Sequence, residues 1–198
     1  MTQKQRATFR SMTEGTQEDY AAIATSMMGH ITDLPDRIMD HMRLLSGDYG
    51  GFNIDRLEHC LQSATRAYRD GKDEEYVVCA LLHDIGDTLG PANHADVAAV
   101  LLEPFVSEKN HWIIKHHGIF QGYYFFHHLG MDRNMRDQYK DHPYYQACAE
   151  FCHRYDQNCF DENYESEPLE FFEPMIRNVF ASVKKSLYAE ATEQQAAS

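Results

Sequence analysis

Proline and glycine are scarce in this chain, at 6 and 11 of 198 residues. No Asn-Gly turn pair and no sustained alternation of apolar and polar residues occurs. Together these absences exclude a β-sandwich or a barrel, which need frequent turns and strand patterning. Long apolar runs are missing as well: Val77 to Leu82 is uninterrupted, but it is far shorter than the roughly 20 residues needed to cross a bilayer. Positive charge is the next shortage. Lys and Arg total 18 against 31 Asp and Glu, for a net charge of −13 and a pI near 5.3. Nucleic acid and anionic membranes are therefore poor partners for the chain as a whole, and an anionic substrate would need a local basic pocket. The five cysteines (Cys60, Cys79, Cys148, Cys152, Cys159) are odd in number and show neither zinc-site nor disulfide-framework spacing. Met1 to Gly15 is polar, with no charged-then-apolar leader, so a reducing cytoplasm is the expected compartment.

What is abundant is histidine, at 12 residues. Eight of these fall between His83 and His142. The stretch Val77-Val78-Cys79-Ala80-Leu81-Leu82-His83-Asp84-Ile85-Gly86-Asp87 organises the rest. Its apolar run must be buried, and it delivers an adjacent imidazole and carboxylate to the edge of the core. A buried carboxylate is costly unless paired or bound to a metal.

Helical periodicity accounts for most of the remaining chain. Residues 1–16 read as a loose arm. A helix runs from Gln17 to Ile31, capped by Thr16, and Pro35 opens a second through Leu45. Ser46 to Phe52 is a glycine-rich loop carrying Tyr49 and Phe52. Helices follow over Ile54–Tyr68, Asp73–Asp84 and Ala92–Leu102. Ser107 caps another that ends at His117, with Gln121–Leu129 resuming after a break at Gly118. Pro143–Asp156 and Pro168–Lys185 supply the last two. Residues 17–188 are expected to form one all-α domain, and 189–198 a frayed tail. Phe125 and Phe126 read as core.

His59, His83, Asp84, His94, His117 and Asp156 lie near helix ends or on apolar faces of five successive helices. Asp156 closes a helix, where a carboxylate opposes the helix dipole unless a cation offsets it. Four histidines and two aspartates suggest two metals bridged by Asp84.

These residues resemble the HD-domain superfamily, whose pattern is His, His-Asp, then a distal Asp: here His59, His83-Asp84 and Asp156. His94 and His117 are similar to the additional ligands of its dinuclear members. The segments Leu57-Glu58-His59-Cys60-Leu61-Gln62-Ser63-Ala64 and Ala80-Leu81-Leu82-His83-Asp84-Ile85-Gly86 resemble the mixed-valent diiron oxygenases. That group includes myo-inositol oxygenase and enzymes that cleave 1-hydroxy-2-aminoethylphosphonates. The resemblance implies an HD-domain helical bundle with two irons in its core, cycling as Fe(II)/Fe(III), and O₂ as co-substrate. It implies that His59, His83, Asp84 and Asp156 hold the first iron, and Asp84, His94 and His117 the second. It also places Tyr49 near the irons as a catalytic residue. The chain departs from the phosphonate branch at three positions, with Phe52, Asp87 and Gln121 where that branch has an acid, a histidine and a lysine.

The expected substrate is an organophosphonate, with 1-hydroxy-2-(trimethylammonio)ethylphosphonate favoured because Tyr49, Phe52 and the run Phe120–Phe126 could cage a quaternary ammonium. Gln121, Tyr124 and Arg154 complete the expected substrate-binding set, and Arg66, His116 and His153 are further basic candidates for the phosphonate. Two other readings stay open: an HD phosphohydrolase of a nucleotide or phosphomonoester, and a non-catalytic helical interaction domain. A homodimer is among the assemblies left open.

Overall fold

A computed structural model describes residues 6–185; the first five residues of the expected arm and the whole of the expected tail, 189–198, lie outside them. Among the described residues the fold is all-α, with eight α-helices joined by short 3-10 turns and no strand. Four of the eight helices start where a side chain supplies an acceptor for their free N–H groups. Thr16 and Asp19 form a reciprocal capping box on α1 (Gln17–Thr32). Pro35 occupies the first turn of α2 (Leu34–Arg43), which stops two residues short of Leu45. Asp55, Asp73 and Ser107 cap α3 (Arg56–Arg69), α4 (Glu74–Leu82) and α6 (Glu108–Phe125) through side-chain oxygens. The others are α5 (His94–Leu102), α7 (Tyr145–Tyr155) and α8 (Leu169–Phe180).

The core is built around α4. Every residue from Tyr76 to Leu82 is buried, against α3, α6 and α8. Fully burying one Leu or Val side chain stabilises by about 1.5–3 kcal/mol, so this short helix anchors what packs on it. It ends at Leu82, two residues before the expected Asp84. His83 closes it, and Asp84, at φ −105 and ψ 13, turns the chain into the 3-10 segment Ile85–Thr88.

Two expected boundaries are corrected. Gly118 does not break α6, which runs unbroken past His117 to Phe125. One glycine costs a helix interior only about 1 kcal/mol, and its neighbours His117 and Phe120 are buried. A Cβ there would meet only His94 Nε2, at 4.0 Å, an ordinary contact. The last helix stops at Phe180 rather than Lys185, and Lys184 instead donates its backbone N–H to Pro104.

Candidate metal centre

Six side chains from five elements meet at the end of α4: His59 from α3, His83 and Asp84 from the end of α4, His94 from α5, His117 from mid-α6, and Asp156 from the C-terminus of α7. All but His94 are buried; His94 keeps 28% of its side chain exposed. They sort into two groups. In the first, His59 Nε2 lies 3.1 Å from His83 Nε2, 3.4 Å from Asp156 Oδ1 and 3.5 Å from Asp84 Oδ2. In the second, His94 Nε2 lies 3.2 Å from His117 Nε2, and both stand within 3.3 Å of Asp84 Oδ1. Asp84 therefore turns one oxygen to each group, as a bridging carboxylate does.

The ring nitrogens show that these groups fit metal ions. His59 Nδ1 lies 2.9 Å from the Cys159 carbonyl, His83 Nδ1 2.8 Å from that of Ala80, and His117 Nδ1 2.7 Å from that of Ile114. A carbonyl only accepts, so each Nδ1 must donate, and a neutral ring is left with its lone pair at Nε2. His94 Nδ1 faces Asp87 Oδ1 at 3.2 Å, with the same result. With all four rings neutral, two pairs of Nε2 lone pairs would confront each other at contact distance beside carboxylates, so positive charge, a proton in the bare site or a metal ion, has to share the space. Asp156 Oδ2 is buried with no hydrogen-bond partner, which points the same way. Acceptors behind metal-binding imidazoles fix tautomer and orientation.

The sequence model of the HD domain matches residues 56–152. This stretch is an HD domain. None of the curated proteins compared with the chain matches it. The HD domain carries five of the six convergent groups, and Asp156 follows four residues beyond its matched end.

Charge at the HD-domain site is finely set. Burial holds the His83 imidazole down to about pH 4. Burial would depress His117 too, but its hydrogen bond to Asp84 overrides this and lifts it to about 9. Burial would raise Asp84, whereas the surrounding imidazoles, His83 foremost, hold it well below the usual carboxylate range. One proton is thus kept against the bridging carboxylate, and a bound metal would displace it.

A cavity of about 490 Å³ opens onto both groups. Phe52, Gln121 and Tyr124 stand on its wall as expected from the sequence, and Gln121 Nε2 donates to Asp156 Oδ1 at 2.8 Å. Tyr49 does not: it is 53% exposed and absent from the wall. Arg154 is also elsewhere. It pairs with Asp70 at 2.6 Å, because residues two apart on a helix point about 200° apart and Asp156 takes the inward face. Arg66 and His153 share Arg154's location, and His116 stacks on Trp112. Phe125 is 42% exposed on the cavity wall rather than in the core.

Three contributors were not foreseen. Arg56 stands on the wall with Nη1 2.8 Å from Asp87 Oδ2 and 4.0 Å from Asp84 Oδ2. Phe160 stacks on His59 at 4.5 Å and on Phe52 at 4.6 Å. The Cys159 carbonyl orients His59. Only Arg56, at the start of the first histidine helix, carried any sequence signal. Among the described residues no helix is long and apolar enough to cross a membrane.

Proposed function

We propose that this HD-domain protein is an O₂-dependent diiron oxygenase that cleaves the carbon–phosphorus bond of an α-hydroxy organophosphonate. The favoured substrate is 1-hydroxy-2-(trimethylammonio)ethylphosphonate, converted with one O₂ to glycine betaine, phosphate and a proton. The observation that carries this reading is the cavity wall. It pairs an imidazole-rich, carboxylate-bridged donor set with four aromatic rings, Phe52, Tyr124, Phe125 and Phe160. Such donors suit iron, and the irons would supply O₂ activation and a Lewis-acidic anchor for the hydroxyl and phosphonate oxygens. Each ring face attracts a quaternary ammonium by about 0.5–2 kcal/mol. Arg56 is the wall's one Arg or Lys, and its tie to Asp87 leaves the guanidinium beside the bridging carboxylate, where it can steady a phosphonate oxygen. Gln121 holds Asp156 in place through its amide.

A phosphohydrolase would use the same donors to activate water. A nucleoside polyphosphate, however, calls for several cationic clamps, and the wall offers one guanidinium. The deciding experiment measures O₂ uptake and phosphate release from the trimethylammonio compound, its primary-amine analogue and a panel of phosphomonoesters, with iron content determined in parallel. Stoichiometric O₂ uptake and phosphate release, with higher kcat/KM for the trimethylammonio compound, is expected. Phosphomonoester hydrolysis without O₂ uptake would replace the oxygenase by the hydrolase. Equal turnover of the primary amine would remove only the aromatic cage.

A further inference from the structure

A second pocket, of about 300 Å³, lies between the C-terminal ends of α3 and α7. It is lined by Arg66, Arg69, Asp70, His153, Arg154, Asn158 and Tyr164, none of which lines the metal cavity, although His153 Nδ1 lies 3.3 Å from the hydroxyl of Tyr124 on that cavity's wall. In a chain of net charge −13, three arginines around one pocket are out of character. The nearby acids are already engaged. Asp70 accepts from Arg154 at 2.6 Å and from the Tyr155 hydroxyl at 2.9 Å, and Glu167 pairs with Arg69 at 3.1 Å. Arg66 is different. Its guanidinium lies 4.1 Å over the Tyr164 ring, its buried Nε has no acceptor, and it makes no ion pair among the described residues.

We infer that this pocket binds a tetrahedral oxyanion, inorganic phosphate, with Arg66 as its principal donor. A guanidinium presents a rigid fork that matches such an anion, and Tyr164 holds this one flat without consuming its hydrogen bonds. Arg154 and the Asn158 amide can supply further donors from the rim. The inference does not depend on the proposed oxygenase reaction, and neither falls with the other.

The test is calorimetric titration of inorganic phosphate into the protein with the metals it carries on purification. R66Q is expected to weaken binding at this site by tenfold or more, and the exposed R154Q by a smaller factor. Metal content should stay unchanged in both. The H94A/H117A variant, in which the metal centre is damaged, should retain the binding. Unaltered phosphate binding in both arginine variants would overturn the site, as would its complete loss in H94A/H117A. If R66Q unfolds, R66K decides: it keeps the charge but not the fork, and phosphate binding at full strength would exclude the donor geometry invoked here.

Discussion

His94 differs from the other three imidazoles in what stands behind it. His59, His83 and His117 lean on main-chain carbonyls, which substitution of the residue cannot remove, whereas His94 leans on the Asp87 carboxylate. Replacing Asp87 by Asn should therefore lower affinity at the second position by about 10–100-fold while leaving the first filled. Metal titration followed by elemental analysis checks this, and equal loss at both positions would refute it. At this scale the six convergent residues were legible in the sequence because histidine and aspartate in apolar context are conspicuous. Arg154 misled because a basic side chain two residues from Asp156 is near in sequence and on the other side of the helix. Cys159 was invisible as an orienting group, since its carbonyl carries no residue-specific signal.

Helices were legible because the 3.6-residue period and the caps agree along most of the chain. What joins them was harder to see. Glu75, on the first turn of α4, accepts from the backbone N–H of Ser107 and the Asn110 amide at the start of α6, and from Lys184 beyond α8. Burial would raise its pKa, but these bonds, that of Lys184 first, draw it down to about 2. A carboxyl lowered on folding stabilises the folded state above its ordinary pKa of 4.5, and the contribution is lost as pH falls from there toward 2. Chemical denaturation across that window should show a shallower loss of stability for E75Q than for the parent; parallel curves would exclude this role. The turn before α5 is packed more tightly still. A Cβ on Gly86 would run into the His94 carbonyl oxygen and stand 2.8 Å from Val97 Cβ. G86A should therefore push α5 outward, cost about 1–3 kcal/mol and loosen His94. G118A meets only His94 Nε2 at 4.0 Å and should fold normally. Thermal melts of the pair should separate them clearly, and matched melting temperatures would contradict the packing argument. Gly118 looked like a break because glycine in a helical pattern signals either an end or a close approach, and only the neighbouring element tells which.

For the molecule as a whole, the candidate metal centre is also a structural hub. Five elements converge on it, and their facing Nε2 lone pairs repel one another unless positive charge intervenes. A ligand at about 1,000 times its Kd adds roughly 4 kcal/mol to stability. Stripping the metals with a chelator should therefore lower the melting temperature by on the order of 10 °C, restored by adding ferrous iron. An unchanged melting temperature would mean that the fold tolerates the bare cluster. The sequence revealed the bundle and the six side chains that converge in it but not the closing segment, Gln157 to Glu167. That segment reaches α3 through Gln62, Thr65 and Glu58, contacts that follow no period.

The same segment bears on how the site comes into being. His94, His117 and Asp84, the second group, are all in hand once the chain has been made as far as α6. The first group waits for Asp156, and His59 is not steered until Cys159 has followed. During synthesis, then, every residue of the more exposed half has been made before the last residue of the sheltered half, so the order of translation runs opposite to the order of burial.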